Sequence, residues 1–213
     1  MTRTIPLLLL LATVLNLTGC ISFRANELPT ARFDSSQPAA AQKTKVYSQW
    51  YSQHSQKRWD SSNATPNQYI QQRFDRALDE SNCCTLVNNA ELADVELKGI
   101  AYSEPNPAAG IAAVISGFTF GAIPCWATSK VDLSATARNG ANERTYELRD
   151  SATMVVWLPL IVAMPFSENP IKAEAEIDAN AYRTLIVRMQ QDGLLKARPS
   201  ASQNAQSAPI TTP

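Results

Sequence analysis

Few residues in this chain of 213 are equipped for chemistry. It carries four cysteines, Cys20, Cys83, Cys84 and Cys125, and a single histidine, His54. A nucleophilic serine or cysteine needs a base within hydrogen-bond reach. His54 is the sole histidine for that role, and its setting, Ser-Gln-His-Ser-Gln, reads as solvated. A general acid must be desolvated before its pKa rises toward neutrality. The acidic neighbours Asp79-Glu80, and Glu174 with Glu176, fall on helix faces that read as wet. Zinc requires further ligands at short spacing, and none accompanies His54. Gly117 and Gly121 belong to an apolar run without the Lys-Ser/Thr ending of a phosphate-binding loop. The residues therefore point to no catalytic site, no metal and no cofactor, and the chain is read as a non-enzyme.

Cys20 stands apart from the other three cysteines. Arg3 is the only charge ahead of an apolar run, Ile5–Leu15, and Leu17-Thr18-Gly19-Cys20 closes the segment. The run is shorter than the ~20 apolar residues that span a bilayer. A charged start, a short apolar middle and small exit residues read as a secretory signal. Its ending at cysteine resembles the lipobox of bacterial lipoproteins. That resemblance implies cleavage after Gly19, a diacylglycerol on the Cys20 sulfur and an acyl group on the new amine. Three chains, each stabilised by ~0.8 kcal/mol per buried methylene, make an effectively permanent anchor. Ile21 rather than Asp follows the cysteine. By the sorting rule of enteric lipoproteins this implies the outer membrane, on its periplasmic face, with the inner membrane as the alternative.

Without residues 1–19 the chain has 194 residues, and the loss of Arg3 leaves 18 basic side chains against 19 acidic. A net charge near −1 gives no electrostatic case for nucleic acid. The apolar fraction suits one domain of moderate size. Cys83, Cys84 and Cys125 remain, in a compartment that permits disulfides. An odd number leaves one thiol over. Cys125 is expected to pair with Cys83 or Cys84. A bridge between the two neighbours themselves is the less favoured alternative, because the peptide joining them would be strained.

Residues 20–43 are rich in Ala, Ser, Gln and Pro and read as an acylated flexible tether. Residues 197–213 read as a disordered tail. The domain between them spans 44–196. Lys45–Tyr51 is a strand candidate, with Trp59 packing nearby. Thr65-Pro66 reads as the cap and first residue of a helix running to about Glu80. Ile70, Phe74, Ala77 and Leu78 mark its apolar face, and Asn82 ends it. Thr85–Val87 and Asp94–Tyr102 follow as strands. Lys130–Arg138 alternates cleanly, placing Val131, Leu133, Ala135 and Ala137 on one face. Asn139-Gly140 signals a hairpin back along Glu143–Asp150. A four-residue loop, Asn139–Asn142, sets Arg138 opposite Glu143 and Asp132 opposite Arg149. A two-residue loop at Asn139-Gly140 would instead oppose like charges. A final helix covers about Ala173 to Asp192, with Gly193 as its C-terminal cap. The expected class is α+β: a small antiparallel sheet with two helices on one face.

Two uncharged apolar segments, 105–129 and 151–167, bracket the hairpin. Three readings are open. They fill the core as linkers and strand extensions; they project from one end of the sheet toward a membrane or a partner; or they cross the membrane. An exposed patch of this size would be a binding site. Phe118, Phe120, Trp157, Leu158 and Leu160 are its candidate surface residues.

The domain itself resembles the small α+β domains of lipoproteins that assist envelope assembly. These include the lipopolysaccharide-assembly lipoprotein and the anticodon-binding-like domains of curli-type secretion lipoproteins. That resemblance lies in the order strand, helix, strand, strand, hairpin, helix. The chain also resembles many uncharacterised proteobacterial lipoproteins in the pattern of Phe74 with Ala77-Leu78 on the helix, Ala93-Asp94 opening a strand, and Phe118-Thr119 through Ile123-Pro124. No functional residue carries over. With the non-enzyme reading of the residues, the resemblance leads to the expectation of an envelope protein as partner. The alternative expectation is a lipid-handling module, its acyl-chain groove lined by Ile111, Phe118 and Leu160.

Overall fold

The computed structural model describes residues 20–33, 43–54, 64–103, 107–119, 121–162 and 170–196. The signal segment, residues 34–42, Trp59, Phe120 and the 197–213 tail lie outside the described residues.

Strands β1 (Cys20–Arg24), β2 (Thr44–His54), β3 (Thr65–Pro66), β4 (Cys84–Leu86), β5 (Val95–Ser103), β6 (Cys125–Asn139) and β7 (Asn142–Val156) form one sheet. Its order is β1-β7-β6-β5-β2-β3, and β4 also pairs with β2. Helices α1 (Gln68–Ser81), α2 (Pro107–Phe118) and α3 (Pro170–Gln191) complete an α+β fold. The sheet is mixed, not antiparallel as expected: β2 runs parallel to both β4 and β5. The reason is α1. It carries the chain back across the sheet to the end where β2 began, so the next strands enter in the same direction.

One face of the sheet makes the core. Val46 and Trp50 of β2, Val95 and Leu97 of β5, Leu133, Ala135 and Ala137 of β6, and Tyr146 and Leu148 of β7 are all buried. They alternate with outward residues, the period-two pattern of strands. Against them lie Phe74, Ala77 and Leu78 of α1 and Ile177, Ala181, Tyr182, Leu185, Ile186 and Met189 of α3. Trp50 sits at the centre, its ring 5.2 Å from Phe74 and edge-on to Tyr182 at 5.3 Å. Gly99 lies directly beneath the Trp50 ring, where an added Cβ would come within 2.3 Å of it.

The caps explain where the helices stop. Asn67 opens α1, its side chain accepting from the amides of Tyr69 (3.0 Å) and Ile70 (3.2 Å). Thr65-Pro66, expected to do this, instead pairs with Tyr51-Ser52 as β3. An edge strand tolerates a residue without an N–H, and the asparagine side chain reaches two free amides. Asn82 ends α1 with φ 58°. Gly193 ends α3 with φ 72°. The amide of Gly193 donates to the Gln190 carbonyl and that of Leu194 to Met189, which tucks Leu194 into the core.

In the hairpin, Arg138 faces Glu143, Asp132 faces Arg149 and Leu133 faces Leu148, the register expected from charge pairing. The ladder continues one pair further, to Asn139 opposite Asn142, so the connection is Gly140-Ala141 and shorter than the four residues expected. Gly140, at φ 61°, takes the left-handed conformation such a tight turn requires.

The described part of the expected tether, residues 20–33, is bound to the domain. Cys20–Arg24 pairs along β7, from Cys20 opposite Val156 to Arg24 opposite Ala152. Leu28 is buried, and Asn180 of α3 accepts from the Ala31 amide and donates to the Pro29 carbonyl. Ile21 and Leu28 supply apolar surface that composition alone hides among Ala, Ser and Pro.

Candidate functional site

The long strands β6 and β7 carry the apolar segments to one end of the sheet. Cys125 begins β6 and pairs with Val156, the last residue of β7. Val156 also pairs with Cys20, the first residue of β1. Cys20 and Cys125 therefore flank one residue, at one level and on one face. The Cys20 thiol is half-buried, and burial together with the nearby Cys125 sulfur pushes its pKa up.

The expected bridge from Cys125 is absent. Cys83 and Cys84 are joined to each other, and Cys125 is free and buried. Topology supplies the reason. Cys84 sits opposite Thr44, at the start of β2. Cys125 lies twelve residues before Ala137, which aligns through Leu97 with Ser48. A further four residues separate Ser48 from Thr44 in the other direction, so at about 3.3 Å per residue the cysteines lie at opposite ends of the sheet, on the order of 50 Å apart.

Helix α2 sits beside the start of β6. Ile111, Val114, Ile115 and Phe118 recur at i, i+3, i+4 and i+7, which is one helix face. That face points outward: the four are 64%, 58%, 45% and 82% exposed. The inward side carries small residues, with Ser116 buried and Ala112 half-buried. The usual arrangement of an amphipathic helix is thus inverted. A short turn locks the inversion in place. The Gly121 amide donates to the Ser116 carbonyl, and the Leu158 amide donates to the Gly121 carbonyl, both at 2.8 Å. The Thr119 hydroxyl donates to the Ile115 carbonyl at 3.0 Å and accepts from the Ile123 amide at 3.3 Å. Ile123, Trp126 and Trp157 extend the exposed apolar surface around the same end.

The named surface candidates divide. Phe118 and Trp157 are exposed, whereas Leu158 and Leu160, in the 3-10 turn Leu158–Val162, are half-buried. Ile111, Val114, Ile115 and Trp126 join the surface without having been singled out for it. Their helical spacing is present in the sequence, but Gly110 and Gly117 mask it. Strands β6 and β7 take up only the inner ends of the two segments, Cys125–Ser129 and Ser151–Val156, and the apolar face of α2 points outward. Among the described residues no helix is long and apolar enough to cross a membrane.

Among the described residues, buried side chains fill the space between the sheet and helices α1 and α3 around Trp50. A cleft of about 380 Å³ lies instead between α2 and the head of β6. It is lined by Ala109, Ala112, Ile115, Ile123, Pro124 and Cys125, among others, and by none of Ile111, Phe118 and Leu160.

The main polar cluster lies between α1 and α3. Arg73 forms an ion pair with Asp178 and donates to the Tyr69 hydroxyl at 2.7 Å. Burial pushes the Asp178 carboxyl up, against the pull of Arg73. Glu80 pairs with Arg183 at 3.0 Å. These charges satisfy one another across the helix interface, which is a packing role. His54 is exposed at the end of β2, and Asp79, Glu80, Glu174 and Glu176 are exposed on their helices. Among the described residues no cluster of three or more His, Cys, Asp or Glu is placed to hold a metal.

No protein-family model matches the chain, and no curated protein matches it in sequence. Solved structures do. A Xanthomonas campestris protein of the DUF330 family has 12% identity and a TM-score of 0.35, over 84% of this chain and 97% of that one. A DUF4136 family protein from Bacteroides thetaiotaomicron has 10% identity and a TM-score of 0.32, over 84% of this chain and 99% of that one. The structural neighbours are thus uncharacterised bacterial proteins of low identity.

Proposed function

We propose that the chain is a non-enzymatic lipoprotein, acylated at Cys20 and held on the periplasmic face of the outer membrane, where it binds a protein partner of the envelope. The observation that carries this reading is the position of Cys20. The cysteine that closes the lipobox is also the first residue of an edge strand, at the end of the molecule where apolar side chains are exposed. Anchor and apolar surface therefore share one pole.

The partner surface that suits the fold is the β1 edge. Among the described residues β1 pairs with β7 alone, and Phe23 is 57% exposed on it. An extended segment of a partner can add to such an edge, with backbone hydrogen bonds supplying affinity and side-chain pockets specificity. Photocrosslinking in intact cells from position 23 tests it. One discrete protein adduct is expected; lipid adducts alone, or none, contradict it.

The cleft beside α2 supports the second reading, a lipid-handling module. A transferred acyl chain there would require lipid to copurify with the protein and to be lost when Ala112→Trp fills the cleft. Copurified lipid that persists in that variant argues against it.

A further inference from the structure

We infer that the exposed face of α2, with Ile123, Trp126 and Trp157, seats directly in the periplasmic leaflet of the bilayer that holds the anchor, so that the folded domain lies on the membrane rather than hanging from a tether. The inference rests on acylation at Cys20 and deepens that reading by naming what covers the apolar pole.

Three observations converge on a lipid surface as the occupant. The first is the lack of slack. After cleavage Cys20 is the first residue, and it already pairs with Val156 in the sheet. No linker separates the acyl chains from the fold, so the end of β7 must lie close to the headgroups. The second is the inverted helix. Large apolar side chains at 111, 114, 115 and 118 face out while small ones face in, and no residue from 105 to 129 is charged. A helix of 12 residues is about 18 Å long, too short to cross the bilayer core but suited to lying in its surface. The third is the rim. Trp126 and Trp157 are 64% and 40% exposed beside the helix, and indole rings favour the headgroup level. A protein partner at this pole would have to displace the lipid that the anchor itself brings there.

The test uses the acylated full-length protein, purified from cells and reconstituted in vesicles of phosphatidylethanolamine and phosphatidylglycerol. Benzoylphenylalanine is placed at position 114, at 118, or at 145. Position 145 lies near the hairpin turn, at the opposite end of β7, and is exposed. Phospholipid adducts at 114 and 118 in several-fold excess over 145 are expected. A flat profile on protein whose Cys20 peptide carries acyl mass overturns the seating alone. Adducts at 118 to a second copy of the chain in place of lipid also overturn it. A Cys20 peptide without acyl mass overturns both the seating and the anchored reading beneath it. Val114 and Phe118 are exposed, so the probe does not disturb the core.

Discussion

Trp50 and Gly99 show how tightly single residues are specified. The indole lies flat over a strand position where any Cβ would intrude on the ring. Gly99→Ala is expected to destabilise the domain by about 1–3 kcal/mol, the usual range for overpacking a filled core, as measured by urea unfolding. Tyr146 and Tyr182 make a second residue-level prediction. Burial, aided by the hydrogen bond from Tyr146 to Asp192, pushes the Tyr146 hydroxyl far above its ordinary pKa. Burial does the same to Tyr182, with Asp178 adding to it. Each keeps its proton in the folded state after the unfolded chain has lost it, so the folded state binds more protons at alkaline pH. Their stabilising contribution is intact below the unfolded tyrosine pKa of about 10 and declines as pH rises through it. The urea midpoint should fall above that pH, and fall less steeply in Tyr182→Phe. An unchanged slope in that variant would contradict the assignment. The cysteines teach a different lesson. The role proposed for Cys20 rests on its neighbours in sequence, whereas the partner of Cys83 depends on where β4 and β6 begin, which no local pattern encodes.

Elements with strong periodicity were legible, and those governed by tertiary contact were not. The hairpin register followed from Arg138, Glu143, Asp132 and Arg149, because opposite charges and alternating apolar residues agree on one alignment. Helix α3 followed from its i+4 ladder of buried residues. Strand β1 stayed hidden, since five residues among Ala, Pro and Ser become a strand only by pairing with the far end of β7. Helix α2 stayed hidden for another reason: its glycines lower helix propensity, and the turn at Thr119 and Gly121 that fastens it depends on Leu158, distant in sequence. An element whose apolar face points outward should contribute little to folding. Replacing Val114 and Phe118 together by serine should change unfolding free energy by no more than ~0.5 kcal/mol. A larger loss would show that α2 belongs to the core after all.

At the scale of the molecule, the sheet has two unlike ends. One holds the hairpin turn, the vicinal cysteines and the start of β2. The other holds Cys20, Cys125, α2 and two exposed tryptophans that belong to the uncharged sequence segments 105–129 and 151–167. An acyl anchor at Cys20 would orient the whole domain, pointing the hairpin away from the membrane and presenting the β1 edge alongside it. The central claim is this orientation. It is tested most directly by quenching tryptophan fluorescence with bromine-labelled lipids in vesicles that carry the acylated protein. Strong quenching that disappears when Trp126 and Trp157 are both replaced by phenylalanine is the predicted result. Quenching that is absent, or that is the same in the doubly substituted protein, would contradict it.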